Sequence, residues 1–370
     1  MNILLCPDKF KGSISAKEIC TILKEELLKQ RSDLEITQCP LADGGDGSLA
    51  VLKEHLDIKQ RVCETQDALG RRITAEYYHS EKTAFIELAK ASGLAELKTK
   101  KPNPMKTSTY GTGLQIRDAI AHGITKVVLF LGGSATNDGG VGIAQALGFE
   151  FLDQDGHSLS PVGSNLKKVA KINRINELPQ LDKIILCCDV NNPAYGPDGA
   201  AYVYAEQKGA NAEEIEELDS GLRNLCKRIK EYNGFDASNL PGAGAAGGVA
   251  ICLAGLLNAD IENGLEMISN VSKLDAKIAE ADVVISGEGS LDAQSLSGKV
   301  VSGVAEICKR EEKKILLVVG RNQLSAQEQK SLGAETIYAV IDRAKSVEDA
   351  MANAGKYIRK IGKEIAVAVK

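Results

Sequence analysis

One junction recurs along this 370-residue chain and limits what it can fold into. A short apolar run ends in a loop where glycine stands beside Asp, Asn, Ser or Lys, and helical spacing follows. Asn2 to Cys6 reads as a buried strand and Ser15 to Lys29 as an amphipathic helix, with Ser13 and Ser15 as candidate caps. Leu34 to Cys39 then leads into Ala42-Asp43-Gly44-Gly45-Asp46-Gly47-Ser48 and a helix to His55. Asp282 to Ser286, Lys314 to Val319 and Thr336 to Ile341 repeat the strand pattern late in the chain, with helices predicted over 298–310 and 346–365. Such alternation buries a parallel sheet under crossover helices. Between these flanks lie two-residue alternation over 72–78 and further apolar runs at 83–88, 126–131 and 183–188. The sequence therefore predicts an α/β fold, a Rossmann-like parallel-sheet domain (1–68 plus 282–370) with a second α/β domain (69–281) inserted into it.

Composition narrows the partners. A net charge of −5 and the lack of a Lys/Arg tract argue against nucleic acid. The apolar start is broken at Pro7 and Asp8, and no stretch reaches the roughly 20 apolar residues that span a bilayer. The chain is expected to be neither secreted nor membrane-embedded but cytoplasmic. Nine cysteines without C-x-x-C spacing read as free core thiols of a reduced protein, and the four scattered histidines as ordinary side chains rather than ligands.

The chemistry is concentrated in the loops. Gly132, Gly133, Ser134, Thr136, Asn137 and Asp138 follow a strand and open an Ala/Ile/Leu helix, which suits a phosphate or carboxylate cradle. A tight strand-to-helix turn is the plainer alternative. Gly242, Gly244 and Gly247 match G-x-G-x-x-G, but a polar loop precedes them instead of a strand, so a backbone loop wrapping nucleotide phosphates is preferred to a dinucleotide site. Close packing of small residues competes with both readings. Glu288 and Asp292, in Ser286-Gly287-Glu288-Gly289-Ser290-Leu291-Asp292, end a parallel strand where metal or substrate contact is expected, and Lys299 stands ready to meet a phosphate. Asp8, Lys9 and Lys11 follow the first strand, Asp189 the 183–188 run, and Lys208 sits beside a glycine. Asp43 and Asp46 lack the third acidic position and distal Glu of a calcium loop. No His or Cys constellation for covalent catalysis appears, and G-x-x-x-x-G-K-[ST] is absent. Phosphoryl transfer asks for what remains: backbone cradles, cations, magnesium-holding carboxylates and one base.

In order, PDKFKGSISA (7–16), PLADGGDGS (40–48), LGGSATNDGGVGIAQALG (131–148), CDVNNPAYGPDGAA (188–201), QKGA (207–210), GAGAAGG (242–248) and GEGSLDAQSLSGKV (287–300) resemble the signature blocks of type I bacterial glycerate kinases. The resemblance implies ATP-dependent, Mg2+-assisted phosphorylation of D-glycerate to 2- or 3-phosphoglycerate, in an active-site cleft between the two domains. It leaves monomer or homodimer open. Asp189 is then expected as the base, with Asp138 and Asp292 as rivals or magnesium holders together with it. Lys11 and Lys208 are expected to bind the substrate carboxylate or the transferring phosphate. Asp8, Lys9, Asp43, Asp46, Glu288 and Lys299 complete the expected substrate and phosphate contacts. The chain departs from the pattern at Ser290, where members commonly carry Arg, and at Arg321 and Asn322, where small apolar residues are expected; Lys299 or Lys11 is the expected replacement cation. A kinase for another hydroxy acid, a non-catalytic relative and a nucleotide-binding oxidoreductase are the rival readings.

Overall fold

A computed structural model describes residues 1–45, 47–97, 101–176, 181–296 and 299–369. The chain divides into a terminal unit, Met1–Asp43, Ala50–Leu56 and Gly264–Lys370, and a central unit, Gly44–Leu49 and Asp57–Asn263.

The terminal unit is built on a five-stranded, wholly parallel sheet in the order Thr336–Ala339, Lys314–Val319, Val283–Ser286, Asn2–Leu5, Glu35–Gln38. Ile3 pairs in register with Val283 on one side and Ile36 on the other. The helix Ala16–Gln30 carries the chain from the first strand outward to Glu35–Gln38. It starts at Ser15, which exchanges a capping box with Glu18. Its Ile19, Leu23 and Leu27 pack with Ile358, Ile361 and Ile365 of the closing helix Ala354–Ala368. That closing segment is two helices, because the chain breaks at Asn353 after Val347–Ala352. From Val283–Ser286 the chain runs the opposite way across the sheet, to Lys314–Val319 and then Thr336–Ala339. The direction of winding therefore reverses between Asn2–Leu5 and Val283–Ser286, and a crevice opens outside the carboxyl ends of strands at such a point.

The central unit carries a six-stranded sheet. Asp260–Asn263, Lys183–Cys188, Lys126–Phe130 and Thr83–Glu87 are parallel, and Arg72–His79 and Lys59–Gln66 add an antiparallel edge. Ile86, Leu129 and Leu186 meet Ile116, Ile143 and Leu253 in its core. The helix Val249–Leu257 is apolar all round and buried from Val249 to Leu256. Lys59–Gln66 pairs along its whole length with Arg72–His79, which takes this unit's sheet back ahead of residue 69. The helices Gly264–Ser272 and Leu274–Glu280 fall in the terminal unit, where Leu265 packs so closely on Gly303 that a Cβ there would lie 2.5 Å from it. Among the described residues, no helix is long and apolar enough to cross a membrane.

Candidate active site

In the terminal unit, backbone bonds continue past the strands and fix three loops side by side. The Cys6 N–H donates to the Ile285 carbonyl and the Asp8 N–H to the Gly287 carbonyl, both at 2.8 Å, while the Leu41 N–H donates to the Pro7 carbonyl at 3.0 Å. Neighbouring strands thus deliver Asp43, Asp8 and Glu288 at their carboxyl ends, on both sides of the reversal. Gly287 has to be glycine: a Cβ would stand 1.7 Å from the Val318 carbonyl oxygen.

Asp8 and Glu288 are each 8% exposed. The Lys9 N–H donates to Asp8 Oδ1 at 2.6 Å. Burial raises the Asp8 carboxyl to about 7; the Lys9 charge and N–H oppose this, and the Asp43 and Glu288 charges add to it. Burial likewise raises Glu288 to about 7 against the Ser295 hydroxyl and the Lys299 charge, with Asp292 and Asp43 pushing it higher. Glu288 Oε1 is buried without a hydrogen-bond partner. Asp43 and Asp292 are half-buried, Lys299 occupies the N-cap of the helix Val300–Arg310, and Lys11 is exposed in the turn that the Phe10–Ile14 bridge closes. Asp46 lies outside the described residues. Ser290 pairs in register with Arg321, whose Nε donates to the Ser290 hydroxyl at 3.0 Å. Arg321 is thus the cation that touches Ser290.

The central unit uses its glycine loop differently. Asp138 is completely buried. Its Oδ2 accepts from the Thr109 N–H (2.7 Å), the Thr109 hydroxyl (2.8 Å) and the Gly142 N–H (3.2 Å), and its Oδ1 from the Gly140 N–H (3.3 Å). Burial pushes this carboxyl up while those donors hold it down. The anion at the start of the short helix Val141–Ala146 is the chain's own Asp138, so the helix N-terminus expected to face a ligand is capped from within. Thr109 was not among the residues singled out from sequence; the only local hint is the hydroxyl-rich run Thr107-Ser108-Thr109.

Lys208 lies beside this loop, 3% exposed, with Nζ donating to the Ser134 hydroxyl and the Thr136 carbonyl at 2.8 Å each. Burial lowers its ammonium to about 7, opposed by the Asp138 charge. Thr136 Oγ1 and both amide atoms of Asn137 are buried with no partner. Gly132 is half-buried and Gly133 exposed. Asp189 follows the strand Lys183–Cys188, half-buried, and its charge acts on Tyr204.

The glycines at 242, 244 and 247 serve close packing. A Cβ on Gly247, which has a φ of +73°, would lie 2.0 Å from the Thr136 carbonyl oxygen, and one on Gly244 2.5 Å from that of Pro193. The N–H groups of Ala243, Gly244, Ala245 and Gly248 donate to the carbonyls of Leu240, Asn192, Gly242 and Ala245. Those four N–H groups are therefore already partnered within the protein.

A parallel sheet and a mixed one, with carboxylates gathered at carboxyl strand ends, place the chain in the α/β class, whose members bind ligands at those ends. The match to the glycerate kinase family model covers residues 3–370, and the chain belongs to that family of enzymes. It is 33% identical to the glycerate 2-kinase of Escherichia coli, over 100% of this chain and 98% of that one. Identity to the glycerate kinase of Halalkalibacterium halodurans is 34%, over 99% and 97%. An uncharacterized Synechocystis protein is 42% identical over 88% of this chain and 87% of its own. A crystal structure assigned as glycerate kinase 2 of Salmonella typhimurium LT2 superposes with a TM-score of 0.84 at 35% identity, covering 100% of this chain and 98% of that one.

Proposed function

We propose that the chain transfers the γ-phosphoryl group of ATP to a hydroxyl of D-glycerate, giving 2- or 3-phosphoglycerate. The observation that carries this reading is the cluster of buried polar groups around Lys208. A buried cation, a hydroxyl and a whole amide wait there without enough protein partners, and a small hydroxy acid offers the complementary carboxylate and hydroxyls. The relative named for 2-phosphorylation favours 2-phosphoglycerate.

On this reading Lys208 and Lys11 meet the substrate carboxylate or the transferring phosphate. Asp189, at a strand end and half-buried, takes the proton from the attacking hydroxyl, with Asp292 of the terminal unit as its rival. Asp138, already accepting from four donors, holds the loop that presents Ser134, Thr136 and Asn137. The strand-end carboxylates are hard oxygen donors of the kind Mg2+ takes, and bound Mg2+ would neutralise charge on the ATP phosphates. The nine cysteines, all free and buried, support a reducing cytoplasmic setting.

The deciding experiment mixes purified protein with D-glycerate, ATP and Mg2+, follows ADP release and identifies the product by phosphorus NMR. Glycerate-dependent ADP with one phosphoglycerate is expected. Turnover only with another hydroxy acid would transfer the activity to that substrate, and no turnover with any hydroxy acid would sink the reading.

A further inference from the structure

We propose that Lys208 is an uncharged amine in the ligand-free protein above neutral pH and becomes an ammonium when a carboxylate or phosphate enters beside it, so that the anion and a proton from solvent are bound together. The inference rests on the kinase reading for the identity of that anion and deepens it by fixing the charge of the group that meets it.

An ammonium carries three N–H donors and an amine two. Lys208 Nζ has two acceptors, the Ser134 hydroxyl and the Thr136 carbonyl, each at 2.8 Å and each neutral. The charge that acts on it is that of Asp138, whose oxygens are already spent on Thr109, Gly140 and Gly142. Among the described residues no carboxylate pairs with it. With Lys208 3% exposed, the third N–H of an ammonium lacks a protein acceptor, whereas an amine matches the two that are there. Burial, which lowers the ammonium to about 7, works in the same direction.

The surroundings supply donors for an anion but no countercharge. Thr136 Oγ1 and the Asn137 amide are buried without partners next to the carbonyl that Lys208 holds, and a hydroxyl and an amide N–H suit carboxylate or phosphate oxygens. Gly133 and Gly209, beside Ser134 and Lys208 in the chain, are exposed, so solvent is one residue away on both strands of the contact. The flanking apolar cluster of Met105, Ala205, Ala210 and Leu218 brings few charged neighbours. Lys106 and Glu206 are exposed, Glu214 accepts from the Asn103 amide and the Asn211 N–H, and Asp219 accepts from the Gly196 N–H and pairs with Arg223.

The test labels the lysines of the full-length protein with 13C at Cε, whose NMR shift follows protonation of Nζ. The Lys208 resonance is the one absent from K208M, or from K208R should K208M fail to melt as a folded protein. In the ligand-free protein it is expected to titrate at about 7, far below the 10.5 of an ordinary lysine. D-glycerate or inorganic phosphate added at pH 8 is expected to return it to the ammonium position. A response to glycerate alone marks a carboxylate site, and a response to phosphate marks a site for the phosphoryl group as well. A Lys208 that titrates with the other lysines, or an amine that neither anion reprotonates at pH 8, would overturn the inference. The first titration contains no substrate, so its failure stays distinct from an absence of glycerate-dependent ADP release.

Discussion

Two loops of this molecule look alike on paper. Gly132 to Gly142 and Gly287 to Asp292 each follow a parallel strand, carry glycine and present a carboxylate, yet their accounts of donors and acceptors are opposite. In the first, Asp138 accepts from Thr109, Gly140 and Gly142 and is complete. In the second, Glu288 is almost as buried and keeps an oxygen with no donor. Saturation marks a carboxylate that holds its own loop, while a buried, unfilled one leaves a place for water or an ion. Motif spacing does not distinguish the two, and a count of partners does.

The contrast is broken most forcefully at Asp138. Asp138→Ala strands the Thr109 N–H and hydroxyl and two glycine N–H groups in the interior, and it should cost about 3–5 kcal/mol of stability, read as a lower urea midpoint. A variant that kept its midpoint and lost only turnover would move Asp138 into the chemistry. Asp189→Asn should do the reverse. We expect kcat to fall by about 10²–10⁴ with ATP affinity and melting temperature nearly unchanged. Near-normal turnover would remove Asp189 from the base role.

Glu288 sharpens the comparison through pH. Burial raises its carboxyl to about 7, above the ordinary 4.5, so the protein loses stability from this group as pH rises from about 4.5 through 7. Ser295, Lys299, Asp292 and Asp43 all act on that carboxylate, and Lys9 and Asp43 act alongside it on Asp8. Glu288→Gln should therefore stabilise the ion-free protein at pH 8, by on the order of 1–2 kcal/mol, and change little at pH 5. A variant less stable than wild type at pH 8 without metal would mean that Glu288 is already satisfied within the protein.

Much of this was legible before any coordinates. Val/Ile/Leu runs mark the parallel strands, the apolar run after Gly248 marks a helix, and Ser15 stands as a cap for the first helix. What stayed hidden was long-range pairing. Thr109 stands 29 residues before the carboxylate it donates to, and nothing in either segment announces the match. The G-x-G-x-x-G spacing at 242–247 does not announce its own cause, because a glycine required by an approaching carbonyl, such as that of Thr136 or Pro193, reads the same as one required by a phosphate. The 59–66 strand is seen only once Arg72–His79 is seen to pair with it. Glu288 was a candidate from its place at a strand end, yet the missing donor that sets it apart appears only when every neighbour is placed.

The smallest effect is expected beside Glu288, at Ser290. The resemblance to type I glycerate kinases led to an expectation of Arg there, and the structure sets the guanidinium of Arg321 against the Ser290 hydroxyl from the neighbouring strand. If that guanidinium does the work of the absent one, Arg321→Ala should raise KM for one of the two anionic substrates a few-fold. Stability should stay within about 0.5 kcal/mol, since Arg321 is exposed. Ser290→Arg placed in the Arg321→Ala background should then recover the lost affinity, because in-register pairing brings both positions to the same patch of the loop. An Arg321→Ala enzyme with both KM values unchanged would show that the exchange of side chains between the two strands is incidental. Recovery by Ser290→Arg would instead make the Ser290–Arg321 pair a relocated anion contact.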